Sequence, residues 1–201
     1  MMTGKTIRSF LVSLFFVFSL QARDIILEFK GAYFKPTDSE FKNIYGKGGA
    51  LYGPELTVQV CEDTPWYAFA GFNYFHKKGH SIGLCDETTV KLIPLALGVK
   101  YLERMCDDRV DFYVGLGFQP VNVRTKNCSD FVFANQSKWG FGGIAKVGAN
   151  YRMDCNFLID LFVDYSFVKV GSNDCDCLMG LQSVKANVSG AIFGAGLGYS
   201  F

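Results

Sequence analysis

Apolar and polar positions alternate with a period of two along most of the chain. In the stretch from residue 110 to 120, Val110, Phe112, Val114, Leu116 and Phe118 fall on one face. Asp111, Tyr113, Gly115, Gly117 and Gln119 fall on the other. A two-residue period is the signature of a strand with two unlike faces. The closing segment repeats it more sharply. Phe193, Ala195, Leu197, Tyr199 and Phe201 share one face; Gly190, Gly194, Gly196, Gly198 and Ser200 share the other, with Ile192 the one large residue among them. An apolar, aromatic face opposite a nearly bare one suits lipid on one side and a narrow lumen on the other.

The same pattern predicts eight strands, at 24–35, 50–60, 66–76, 89–102, 109–120, 139–151, 157–170 and 188–201. Their connections alternate in length. Cys61–Pro65, Glu103–Asp108 and Arg152–Asn156 are short; Pro36–Gly49, Lys77–Thr88, Val121–Lys138 and Gly171–Asn187 are long. Short turns at one end and long loops at the other are the mark of outer-membrane barrels. Charges in the strand bodies are predicted to point inward: Glu28, Lys30, Glu55, Lys100, Asp111, Lys146, Asp160 and Asp164. Lys91 and Lys169 break the rule beside long loops, where a lysine can reach headgroups. Trp66–His76 carries apolar residues on both faces, and Trp66, Ala68, Ala70, Phe72 and Tyr74 are assigned to lipid. Two aromatic girdles follow. Tyr33, Tyr52, Tyr74, Trp139 and Phe167 belong to the loop end. Trp66, Tyr101, Tyr151, Phe157, Tyr199 and Phe201 belong to the turn end.

The first 22 residues read as a secretory signal. Lys5 and Arg8 precede an apolar run from Phe10 to Leu20, and cleavage is expected after Ala22. The rest, 23–201, reads as one domain, and no segment after residue 22 is apolar for the ~18 residues a spanning helix needs. The expected fold class is therefore all-β: a closed, antiparallel, eight-stranded transmembrane β-barrel, because lipid cannot satisfy backbone groups and a closed sheet satisfies its own. A net charge of +1 without a basic cluster argues against a nucleic-acid partner.

These features together resemble the small eight-stranded outer-membrane barrels of the OmpA, OmpX and OmpW type, over 23–201. The most specific element is Leu197-Gly-Tyr199-Ser-Phe201. In that family a terminal phenylalanine preceded by alternating apolar residues is an assembly signal, so the resemblance implies the barrel-assembly machinery as a partner, along with outer-membrane lipid. It also implies short turns in the periplasm and long loops outside the cell. The departure is seven cysteines. Cys61, Cys106 and Cys155 fall in the three short turns, and Cys85, Cys128, Cys175 and Cys177 in long loops. Export puts them in a disulfide-permissive compartment, and an odd count leaves at least one for another molecule. Neighbouring turns stand ~10 Å apart, beyond the ~7 Å a disulfide tolerates, so the turn cysteines are not expected to pair within one barrel. Cys85, Cys128 and one of Cys175 and Cys177 have loops long enough to pair in-chain. The expectation is cross-linking to other cysteine-rich envelope proteins; thiols merely tolerated at turns are the alternative.

No motif for catalysis or a cofactor stands out. Gly140-Phe-Gly-Gly143 and Gly194-Ala-Gly-Leu-Gly198 lack a dinucleotide fingerprint and its following helix. Asp174-Cys-Asp-Cys177 has the wrong spacing for a zinc knuckle and no nearby histidine. His80-Ser81 beside Asp86 and Glu87 makes a poor triad, since adjacent residues rarely orient toward each other. The first functional expectation is a non-enzymatic envelope protein acting through loops and cysteines. Phe41, Ile44, Tyr45, Phe131, Phe133 and Met179 give its loops apolar surface. Porin-like passage of small, hydrophobic solutes is the second expectation, and an outer-membrane lipid-modifying enzyme the third.

Overall fold

The structure is a computed structural model that describes residues 24–61, 64–80, 87–105, 109–128, 133–170 and 186–201. The leader expected at 1–22 lies outside these residues, as do Cys85, Cys106, Cys175, Cys177, Ser81, Phe131 and Met179.

In chain order the elements are β1 (Ile25–Pro36), α1 (Ser39–Tyr45), β2 (Gly49–Gln59), β3 (Trp66–Phe72), β4 (Tyr74–His80) and β5 (Glu87–Arg104). There follow β6 (Val110–Phe118), β7 (Val121–Cys128), β8 (Phe133–Arg152), β9 (Phe157–Val170), β10 (Ala186–Asn187) and β11 (Gly190–Ser200). All pairings are antiparallel. Segments β3 and β4 form one stave, as do β6 and β7, and β10 and β11, which makes eight staves in sequence order. The last pairs with the first through β11 and β1, so the sheet closes.

Register gives the size of the barrel. Residue partners run Ile26, Thr57, Phe69, Gly98, Gly117, Ile144, Ser166 and Gly190, then return to β1 at Pro36. One circuit thus climbs ten residues toward the loop end. With ~3.3 Å per residue and ~4.8 Å between strands, that shear gives a tilt of about 40° and a backbone radius of about 8 Å. Such a cylinder has room for side chains and little else.

Prolines explain two of the gaps in the staves. Asn73 donates to the Pro94 carbonyl at 2.9 Å, but Pro94 has no N–H to return. Leu95 likewise donates to Pro120 at 2.9 Å without a reciprocal bond. Register is unchanged across both gaps, so alternation survives them.

Two expectations about loops are corrected. The stretch from Val121 to Lys138 is mostly strand: β7 pairs with β8 from Val121–Gly140 up to Cys128–Phe133. Polar residues pair there as readily as apolar ones once the strands clear the lipid, because pairing satisfies the backbone in water too. Cys128 therefore ends a strand and does not sit in a loop. The connection from Pro36 to Gly49 holds helix α1, capped by the Asp38 carboxylate accepting from the Phe41 N–H at 2.9 Å. Its Phe41 and Tyr45 pack inward on the loop-end core.

The distribution of side chains is inverted relative to a water-soluble sheet. Leu116, Leu161, Leu197, Val163, Phe29 and Phe141 are all more than half exposed on the outer surface. The assignment of Trp66, Ala68 and Phe72 to that surface holds, with Tyr67, Phe69 and Phe75 buried inside. An apolar band of this extent marks a surface that is not meant for water. Among the described residues no helix is long and apolar enough to cross a membrane. Ring pairs edge the band: Tyr52 with Tyr74 at 5.8 Å toward the loops, Trp66 with Tyr101 at 5.3 Å and Phe157 with Tyr199 at 5.3 Å toward the turns.

Candidate functional site

All eight charged residues assigned to the lumen are buried inside the barrel. They do not form one cluster. Seven meet at mid-barrel, and Asp111 belongs to a second group at the turn end. Alternation aims each side chain inward, and the shear brings staves that are distant in sequence to one level.

Glu55 is the hub of the central cluster. Its carboxylate lies 2.6 Å from Lys100 Nζ, 2.8 Å from Lys30 Nζ and 3.0 Å from Lys146 Nζ. Lys30 also reaches Asp160 at 2.8 Å, and Lys146 reaches Asp164 at 2.6 Å. Glu28 is held more loosely, 3.5 Å from Lys30 and 3.8 Å from Lys100, and its Oε1 accepts no protein hydrogen bond. The Tyr113 hydroxyl donates to Asp160 at 3.1 Å. Aromatic faces complete the cage: Lys100 Nζ is 4.5 Å from the Tyr113 ring centre, and Lys30 Nζ 4.8 Å from that of Phe162. Buried charge is tolerable only with such partners. Glycines make the room. A Cβ on Gly148 would meet the Tyr113 ring at 2.5 Å, and one on Gly198 would meet Glu28 Cγ at 2.8 Å.

The turn end is closed by a second group. Arg152 Nε donates to Asp111 at 2.6 Å, and its Nη2 lies 3.1 Å from Asp24. Arg104 reaches Asp24 at 2.6 Å, and the Ser200 hydroxyl donates to Asp24 at 2.6 Å. Burial pushes the Asp24 carboxyl up, but the Ser200 hydroxyl and the Arg152 and Arg104 guanidiniums outweigh it, and its pKa lies below the ordinary 3.8. The sequence showed two more inward carboxylates than lysines. Asp24 adds a third, and Arg104 and Arg152 supply two of the three positive charges needed to match them.

Asp24 and Arg104 were absent from the expected network. Their signal was parity: Asp24 is in phase with Glu28 and Lys30, and Arg104 with Lys100. The predicted strand at 24–35 already held Asp24, whereas the one at 89–102 ended two residues before Arg104.

The loop half of the lumen is apolar. Phe34, Leu51, Phe75, Leu92, Val168 and Ile192 fill it. Phe75 stands edge-on to Phe34 at 5.5 Å, and Phe41 of α1 lies 6.3 Å from Phe34 and 6.4 Å from Phe75. A void of about 20 Å³ lies there among the described residues, beside Leu51, Leu92, Val121 and Ile192.

Cys61 and Cys155 are exposed at two of the short turns, and both are free thiols. Leu197 and Phe201, assigned to the assembly signal, are each 67% exposed on the outer surface. Tyr199 stacks against Phe201 with ring centres 4.8 Å apart. His76 is exposed on the outer face of β4. Among the described residues no group of three His, Cys, Asp or Glu side chains is placed to hold a metal ion.

No protein-family model matches the sequence, and no curated protein matches it. Solved structures do share its fold. The outer membrane protein OprG from Pseudomonas aeruginosa superposes with a TM-score of 0.59 at 19% identity, over 90% of this chain and 97% of its own. The Escherichia coli outer membrane protein W gives 0.57 at 18%, over 90% and 99%. Ail, the attachment invasion locus protein of Yersinia pestis, gives 0.53 at 15%, over 90% and 99%. The fold is that of the small eight-stranded outer-membrane β-barrels.

Proposed function

We propose that the chain is an integral bacterial outer-membrane protein that works through its two rims and conducts nothing through its lumen. The observation that carries this reading is Glu55 bridged to three lysines from three other staves, at 2.6 to 3.0 Å. With a backbone radius of about 8 Å, such a cross-brace leaves no aqueous path. Single-channel recording in planar bilayers tests it. A folded, inserted barrel giving only baseline current is expected; ohmic steps of constant size overturn it.

The rims offer thiols on the turn side and strand extensions on the loop side. Cys61 and Cys155 are exposed, which favours intermolecular disulfides to other cysteine-rich envelope proteins. Non-reducing electrophoresis of intact envelopes decides this. Bands that collapse with reductant support it, and a lone monomer band in both lanes sinks it.

Passage of small hydrophobic solutes has one observation in its favour, the apolar lining of the loop half. Against it stands the size of the void, about 20 Å³, which has room for about one water molecule and for no larger solute. The closed-rim reading is therefore preferred.

A further inference from the structure

The outer surface changes character above the apolar band at the loop end. Register places His76 of β4 opposite Lys91 of β5, and Lys91 opposite Arg124 of β7. Lys78 lies two residues higher on β4, Lys35 is the penultimate residue of β1 and Lys169 that of β9. All share the outward parity of their strands. Propagating register around the tilted barrel puts Lys35, His76, Lys91 and Lys169 within about 5 Å of one level, with Lys78 and Arg124 about 5 Å higher.

No described carboxylate answers this band. The six residues take part in no ion pair among the described residues, and Arg124 Nε donates to Asn122 Oδ1 at 3.0 Å. Asp38, three residues after Lys35, is engaged in capping α1. Like charges directly opposite on neighbouring strands destabilise a sheet, so an anion against Lys91 and Arg124 would stabilise this one. The opposite end differs: Arg109 faces Asp154 at 3.5 Å, and Glu103 takes the Tyr101 hydroxyl at 2.8 Å.

We propose that this band binds the phosphate groups of anionic glycolipid in the outer leaflet. The occupant follows from height and direction. The side chains project sideways from the wall, toward whatever surrounds the barrel. Trp139, half exposed, sits on the neighbouring stave at the same level, where an amphipathic ring marks the headgroup layer. Lysine and arginine at that depth meet lipid phosphates, and the guanidinium fork of Arg124 suits a phosphate's paired oxygens. The inference rests on the outer-membrane reading above.

Native mass spectrometry of the full folded chain in detergent tests it, with lipid A carrying two phosphates or none. Heat-modifiable migration is checked first, so that failure to form a barrel counts against the membrane reading and not against the band. The phosphorylated lipid is expected to give at least about tenfold more retained adduct. K78Q/K91Q/R124Q should lose that preference, while K47Q and R109Q, outside the band, keep it. The single variants K91Q and R124Q, each losing part of it, serve where the triple variant does not fold. Equal retention of both lipids overturns the proposal, as does a triple variant that keeps the preference. Tighter capture of a soluble heparin oligosaccharide than of phosphorylated lipid overturns it as well, since the partner would then be a polyanion in solution.

Discussion

Replacing Glu55 with Gln removes one charge from the centre of the barrel and keeps its volume. Three lysines lose their shared partner, at 2.6, 2.8 and 3.0 Å. At an effective dielectric of about 20, each contact is worth about 6 kcal/mol of gross Coulomb energy. Most of that is recovered: Lys30 still has Asp160, Lys146 still has Asp164, and Lys100 can close on Glu28. What remains is three separate pairs without their shared brace, with Lys100 ion-paired only to Glu28 at 3.8 Å, and removing one partner from a buried network costs about 3–5 kcal/mol. Urea unfolding from lipid vesicles reads the loss. With a slope of about 1–3 kcal/mol per molar, the midpoint should fall by more than about 1 M. E28Q is the internal control. Its nearest lysine is 3.5 Å away and its Oε1 is unpartnered, so it should cost less than half as much. E55Q/K100M, which removes a cation together with the carboxylate, should recover more than half of the E55Q loss. Equal midpoints for E55Q and wild type, or equal costs for E55Q and E28Q, would refute the hub assignment.

Three further predictions come from other layers. Phe75→Ala, at a fully buried position against Phe34 and Phe41, should cost about 3–5 kcal/mol and expose α1 to proteolysis near 39–45; a stable variant with α1 still protected contradicts it. Leu116→Lys puts a charge on the outer surface, where the side chain is 68% exposed, and should cost about 2–4 kcal/mol in vesicles; a soluble sheet would accept it at no cost. Asp24→Asn tests the turn-end group by pH. Because the folded Asp24 carboxyl lies below its ordinary 3.8, its contribution is complete above that value and lost as pH falls through the folded one. The stability gap between wild type and D24N should hold from about pH 8 to 5 and close only in stronger acid; a gap that closes between pH 7 and 5 speaks against the Arg104 and Arg152 contacts.

Alternation carried most of this structure into view from the sequence. Val110–Phe118 shows both faces unaided, and inward charges such as Lys146 and Asp160 fall in phase with it. The chain from Trp66 onward was harder, because Tyr67, Phe69 and Phe75 are apolar residues facing a lumen, and an apolar lumen leaves no contrast to read. Pairing could not be read from one strand at a time. Glu55 is the hub only because the shear of ten residues raises Lys146 and Lys30 to its level, and that shear is a property of the closed ring. The strand extensions were missed for a related reason. From Arg124 to Asn127 the chain is polar on both faces, and polarity above the lipid looks the same in a loop and in a paired hairpin. Helix α1 hides in the same way: Phe41 and Tyr45 read as loop aromatics until Phe34 and Phe75 are seen beneath them.

The central claim is that the apolar surface of this barrel lies in a bilayer, and Trp66 and Trp139, one near each edge of the band and each about half exposed, make it measurable. In a W66F/W139F background, L116W places a single indole midway along β6. Quenching by brominated lipids in vesicles should be strongest with bromine deep in the acyl chain, and aqueous iodide should have no effect. Efficient quenching by iodide, with no dependence on bromine depth, would contradict the account.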